Sequence, residues 1–471
     1  VDPLGRRPPL VAPKPFEPAA PEVFQVAGGV TVWLVARTEL PLVSATLVVP
    51  FGSASDPAGK AGLASVTADL LDESAGKRTA LELSGAVNDL GASLTTGAGT
   101  DGSFVALSVL KKNFAPAFAI LSDVVARPRF EAADFRRVSE LWKNDLRQRA
   151  EDPARVSAVV TRAALYGVTS PYGHPPEGLL AATTRVDLAA TKSFYSQYWR
   201  PEQAVLVVVG DISRAEISHA VEQGLKGWRP PGRAPVPMVT PLPMAKERPR
   251  LVVVDRPGAP QSVVAVARDG VAADDPAAPL LDLLNVALGG SFTSRLNQNL
   301  REEHGYTYGV RSSFVEARRG GSFVARAAVS TPVTGAALME LLKELRAMAA
   351  EGLRPGELEK SRAQARSELV QAYETTSGLS RHLAGLVLVS LPPSYDAAAA
   401  LKREAATTPQ LSELASHVDP RSATVVVVGP SAEVLAQLAP LELGDPVFWD
   451  AEGQPVGNAA RDKTLAPTKA P

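Results

Sequence analysis

The stretch FYSQYWRPEQAVLVVVGDISRAEISHAVEQGL, residues 194–225, returns late in the chain as LASHVDPRSATVVVVGPSAEVLAQLAPL, residues 414–441. Each copy reads as a helix, a Pro-marked turn, a fully apolar strand and a second helix, with Gly210 and Gly429 ending the matched strands. A chain that repeats a whole helix–strand–helix unit folds as two related halves. Its 471 residues leave room for this, since that length corresponds to roughly two to four domains.

The remaining pattern follows the same plan. VTVWLVAR and LVSATLVVPF predict strands, and helical periodicity follows over about 60–74 and 79–90. ASLTTGAG and SFVALSVL predict two more strands, and helices are expected over 113–126, 131–150 and 154–166. In the second half, APQSVVAVARDGVAADDPAAPLLDLLNVAL supplies a strand and a helix, and YTYGVRSSF and GSFVARAAVS are strands. Two long helices are expected within 332–373. Strands interspersed with helix pairs, without strict βαβ alternation, predict an α+β fold of two homologous halves, each a mostly antiparallel sheet packed with helices. The expected boundaries are a Pro-rich arm at 1–24, a first domain at 25–228, a Pro-rich linker at 229–249, a second domain at 250–445 and a tail at 446–471. A cleft is expected between the halves.

Composition excludes several functions. With no cysteine there is neither thiol catalysis nor a Cys-ligated metal. A net charge of −1 gives no global attraction to nucleic acid or to anionic membrane, and no apolar run is long enough to span a bilayer. The cysteine-free composition and the Pro-rich start are those expected of an exported chain whose signal has been removed; the expected compartment is the periplasm, with the cytoplasm as the alternative.

Chemistry has few places to sit. The five histidines, His174, His219, His304, His382 and His417, never fall at the i, i+4 spacing that turns two imidazoles toward one zinc ion. GSASDPAGKA has six residues between its glycines where a phosphate loop has four, and Ala61 stands where the magnesium-holding hydroxyl belongs. The strongest local signal is LGGSFTSRLNQNLREEHGYTYGVRSSF, residues 288–314. Gly289 and Gly290 end one helical pattern, Leu296 and Leu300 mark a second, and His304-Gly305 stops it. A strand with Tyr306, Tyr308 and Val310 on one face is expected next. In structural terms, Arg301 would complement a helix C-terminus and Tyr308 would pack in a sheet with its hydroxyl at the edge.

This stretch, together with FGSASDPAGKAGLA and YGVTSPYGHPPEGLLAATTRVDLAATKSFYSQYWRPEQAVLVVVGDI, resembles the pitrilysin/insulinase metallopeptidase family, the inverzincins, and its processing-peptidase-like bacterial branch. The resemblance runs from about residue 25 to 441. In active members the helix after GLA carries H-x-x-E-H, two zinc-binding histidines and a glutamate that activates water. Here Ser65, Ala68 and Asp69 stand at those positions, so no metal is expected in this chain. The family's third ligand matches the region of Asn144 and Asp145. Arg301 and Tyr308 match the family's substrate-contacting Arg and Tyr, seven residues apart. A guanidinium fork can grip a peptide carbonyl, and a phenol can stabilise a developing oxyanion.

The resemblance therefore implies a zinc-free subunit, non-catalytic alone, forming one half of a clamshell with a homologous H-x-x-E-H chain. The partner would hold the zinc, and Arg301 and Tyr308 would act in trans on unfolded peptides. Gly289 and Gly290 lie where the processing-peptidase partner has a glycine-rich substrate loop, and His174, in YGHPPEG, reads as structural. The alternatives are a structural or assembly protein of the same fold, as in the respiratory cytochrome bc complex, and a peptide-binding protein that does not cut.

Overall fold

A computed structural model describes residues 16–26, 28–230 and 232–456. The first half contributes β1 (Glu22–Gln25), β2 (Thr31–Ala36), β3 (Leu42–Val49), β4 (Ser93–Ala98), β5 (Ser103–Leu110) and β6 (Val205–Gly210). The second contributes β7 (Leu251–Asp255), β8 (Gln261–Gly270), β9 (Val310–Ala317), β10 (Gly320–Ser330), β11 (Thr424–Gly429) and β12 (Val447–Phe448). They form two six-stranded sheets, ordered β1-β2-β6-β3-β5-β4 and β12-β7-β11-β8-β10-β9. Five strands correspond one for one in the two orders. In both sheets the two matched strands next to the extra one are parallel, β2 with β6 and β7 with β11, and the other matched pairs are antiparallel. The α+β architecture and the duplication read from the repeat are thus both present.

The apolar runs of β6 and β11 have a physical cause, because both faces of each sheet are covered. One face of the first sheet packs under Leu63–Asp69, Phe114–Ala126, Leu188–Tyr198 and Arg214–Gly224, around Leu47, Val105, Leu121 and Leu206. Its other face is covered by a helix of the second half, Thr376–Leu388, which sets Leu379, Leu383, Leu386 and Val387 on Trp33, Val48, Val207 and Val209. The second sheet mirrors this: Pro153–Tyr166 of the first half lays Val156, Val160 and Ala164 on Val252, Val254, Ala265 and Val426. Each large aliphatic side chain so buried contributes roughly 1.5–3 kcal/mol. The expected cleft between the halves is thereby corrected, since the exchanged helices fill that junction with side chains.

A polar knot joins the halves nearby. Asp101 Oδ1 accepts from the Tyr172 hydroxyl at 2.6 Å and Oδ2 from the Arg318 backbone N–H at 2.8 Å. The Arg318 guanidinium donates to the carbonyls of Pro50, Asp101 and Leu388.

Other expectations shift at the margins. Glu22–Phe24, placed in the arm, belong to β1, and Val447–Phe448, placed in the tail, pair with β7. Residues 1–15 of the arm and 457–471 of the tail lie outside the described residues. The Pro-rich 232–249 has neither helix nor strand, as Pro dictates, and is pinned where Leu242 N–H donates to Arg319 O and Ala245 N–H to Leu165 O. The strand expected from Tyr306 starts only at Val310, because Thr307 Oγ1 donates to Ala328 O at 2.7 Å and holds residues 306–309 as an arch.

Candidate functional site

The degenerate motif lies on the helix Leu63–Asp69. Gly62 starts it in a left-handed conformation, φ 100°, and a Cβ there would stand 2.7 Å from the Trp142 ring and 2.8 Å from Glu177 O. Glycine is therefore required twice over, by backbone and by space. Asp56 caps this start, accepting from Gly62 N–H at 2.7 Å and Ala64 N–H at 2.8 Å, while burial pushes its carboxyl up to about 8 against those donors.

Positions 65, 68 and 69 share one helical face. Ser65 Oγ donates to Pro176 O at 2.7 Å, Ala68 is fully buried, and Asp69 is exposed. Packing around Asp69 and the neighbouring carboxylates of Asp72 and Glu73 push its pKa up to about 6. Asn144 and Asp145 lie on the exposed side of Ala132–Glu151, where Asn144 accepts from Arg147 and Asp145 takes a two-pronged bond from Arg155. The side chain that helix turns to the motif's start is Trp142, whose Nε1 donates to Glu177 O at 2.7 Å. Among the described residues no group of three or more His, Asp or Glu side chains converges as a metal site would.

Arg301 and Tyr308 sit on a segment braced from below. The chain runs through a π-helical turn Val286–Gly290, a short turn Arg295–Asn297 and a second π-helical turn Gln298–Glu303. Such wide turns recur at functional sites. Buried Arg295 forms a two-pronged pair with Glu357, at 2.7 and 2.6 Å, and also donates to Gly352 O. Asn297 bonds both backbone groups of Val310, and Asn299 Nδ2 donates to Glu340 and Glu344. His304 stops the turn and stacks on Tyr306 with ring centroids 5.0 Å apart.

Above this base the Arg301 guanidinium lies over the ring of Phe292, 4.1 Å from its centroid, and Tyr308 projects with 93% of its surface exposed. The expectation that Tyr308 packs into a sheet is corrected, since the Thr307 arch lifts it clear. Gly289 and Gly290 end the first π-helical turn instead of forming a loop. Gly289 is buried, and a Cβ there would meet Ser312 Oγ at 2.4 Å, so its glycine is a packing requirement; only Gly290 is exposed. Phe292, Asn297 and the Arg295–Glu357 pair escaped the sequence reading. The SxxN spacing and the lone Phe among polar neighbours were the available signals.

The strands at the ends of the two sheets differ. The outer edge of β9 is closed by side chains: Asn285 Nδ2 donates to Ser312 O at 3.0 Å, and Asn297 holds Val310. Along β4, which packs beside the motif helix, no hydrogen bond reaches the outer edge among the described residues. An open edge offers a row of backbone donors and acceptors to an extended chain.

Two family patterns match this sequence. The one described as Insulinase (Peptidase family M16) matches residues 31–167, and the one described as Peptidase M16 inactive domain matches residues 185–365. The chain belongs to the M16, or insulinase, peptidase family. Among its M16 relatives is an uncharacterized zinc protease of Mycobacterium tuberculosis, 25% identical over 88% of this chain and 95% of its own length. A zinc protease of Streptomyces coelicolor is 23% identical over 77% and 79%. The M16 inactive-domain structure from Pseudomonas fluorescens superposes with a TM-score of 0.79 at 23% identity, covering 88% of this chain and 98% of that one. A protease from Helicobacter pylori gives 0.80 at 18% identity, covering 87% and 99%. A chain of complex III2 from Candida albicans gives 0.75 at 15%, covering 88% and 97%. These likenesses establish the fold.

Proposed function

We propose that this M16 chain is the zinc-free, substrate-handling subunit of a two-chain metalloendopeptidase, working in the periplasm on unfolded peptides. Its partner would be a homologous H-x-x-E-H chain that holds the zinc. The observation that carries this reading is the contrast within the molecule: a half-buried Arg301 and an exposed Tyr308 on a braced base, and a motif helix whose metal positions hold Ser65, Ala68 and Asp69. Zinc in the partner would polarise the scissile carbonyl and lower the pKa of its bound water. This chain's residues would do the rest. The Arg301 fork holds a peptide carbonyl, and the Tyr308 hydroxyl donates to the oxygen on which negative charge develops. The open β4 edge takes an extended peptide as an added strand.

A second reading, a structural role inside a larger assembly, is favoured by the fold shared with the complex III2 chain. A third, peptide capture without cleavage, draws on the β4 edge alone. Hydrolysis of an unstructured peptide by this chain, by the H-x-x-E-H homologue and by their mixture, with zinc measured in each, separates them. Activity confined to the mixture, or far higher there, with zinc only in the homologue, is the expected result. Zinc and activity in this chain alone, or no gain on mixing, would overturn it.

A further inference from the structure

A cavity of about 340 Å³ lies away from the Arg301 and Tyr308 platform, between the turn 56–61 and the segment 168–185. Two of its polar groups are unspent. His174 is only 8% exposed, and its Nδ1 lies 3.2 Å from Pro175 O. A carbonyl can only accept, so Nδ1 carries the proton and Nε2 of the neutral ring is left as an acceptor with no hydrogen-bond partner among the described residues. Burial holds the His174 pKa below its ordinary value, which keeps the ring neutral at pH 7.

The second group is Arg185. Among the described residues its guanidinium makes no hydrogen bond and no ion pair. It lies over Gly59, where a Cβ would come 2.6 Å from Nη1. Gly59 has φ 77°, so the backbone asks for glycine there and the glycine leaves the arginine room. Asp56 also lines the cavity, but both its oxygens are engaged by the N–H groups of Gly62 and Ala64, so its carboxyl is directed at the motif helix. The remaining wall is mostly apolar, formed by side chains such as Ala58, Ala61, Val168 and Leu179, with Thr169 and Ser170 beside them.

We propose that this cavity binds the C-terminal residue of a peptide, with Arg185 holding the α-carboxylate, His174 Nε2 accepting from the residue's N–H, and the apolar wall taking a small side chain. Each of the three features of such a residue meets one feature of the lining. The volume accommodates one or two small residues. A carboxylate on a guanidinium is a charge-assisted, two-pronged pair, and an acceptor without a protein partner is matched by ligands that bring a donor. The inference does not depend on the partner-subunit reading, because every group belongs to this chain.

The test is calorimetric titration of the full chain alone, without partner or zinc, with acetyl-Ala-Ala bearing a free carboxylate and with the same peptide as its C-terminal amide. Saturable binding of the acid is expected, at least tenfold tighter than the amide. Arg185→Gln, at an exposed position that leaves the core intact, should weaken the acid at least tenfold. His174→Asn, checked for an unchanged melting temperature, should weaken it severalfold, and acid binding should move the His174 imidazole nitrogen resonances. Should His174→Asn fail to fold, Arg185→Gln and the acid–amide comparison still decide. Equal affinity for acid and amide, unchanged affinity in Arg185→Gln, or no saturable binding would each overturn the proposal.

Discussion

β4 and β9 hold the same place in their two sheets, yet their edges have opposite fates. Asn285 and Asn297 spend their amides on the edge of β9, while the edge of β4 is left unbonded among the described residues. An exposed edge is a hazard that proteins usually cover. The two halves share one topology, and side chains distinguish them: the second braces the segment that carries Arg301 and Tyr308, and the first leaves the edge of β4 open.

The largest expected effect tests whether the halves are separate at all. Leu383 is sequence from the second half, but it is fully buried on the first sheet. Leu383→Ala should cost about 2–5 kcal/mol, and hydrogen exchange should rise first in β3 and β6. Protection lost only in the second half would show that the exchanged helix is not what couples them.

The edge comparison is broken next. Asn297→Ala strands the N–H and carbonyl of Val310 and should cost about 1–3 kcal/mol, measurable by urea unfolding. Thr95→Ala on β4 should stay within about 0.5 kcal/mol. Similar losses at both positions would remove the distinction drawn between the edges.

Third, Arg301→Ala or Tyr308→Phe should lower turnover of the mixed two-chain complex by at least about tenfold, roughly 1.4 kcal/mol of transition-state stabilisation. Ser65→Ala should leave it unchanged. Full turnover in both platform variants would end the trans-completion idea.

The smallest effect concerns pH. Glu316, on β9, is pushed up to about 8 by burial first and by Asp282 second, and its Oε1 has no partner. Between its ordinary value near 4.5 and about 8 the folded chain keeps a proton that the unfolded chain releases. Stability from this group is thus present at low pH and lost as pH rises toward 8. Glu316→Gln should remove about one proton from the uptake on folding near pH 6, seen as a flatter dependence of melting temperature on pH. An unchanged slope would mean the carboxylate is already charged in the fold.

Much of this was legible beforehand. The fully apolar β6 and β11 were legible as strands, whereas the helix Thr376–Leu388 that covers the first sheet was not among the expected elements. Arg301 and Tyr308 were legible only through a resemblance, and the exposure of Tyr308 was not legible at all: alternation from Tyr306 to Val310 suggested a strand, and one hydroxyl, Thr307 Oγ1 bonded to Ala328 O, lifted the segment out of it. Asn144 and Asp145 are the opposite case. The resemblance matched their region to a third ligand that the sequence lacks, and the structure shows the buried face of their helix to be Val138, Trp142, Leu146 and Arg149, with both residues on its exposed side.

By itself the sequence determined the duplication, the α+β elements and the absence of H-x-x-E-H, because local periodicity and residue identity carry these without long-range contacts. Tertiary structure alone decided which helix covers which sheet, which edge stays open, and that His174 and Arg185 share a cavity. Each of those depends on groups far apart in the chain, and burial, not spacing, chooses their partners.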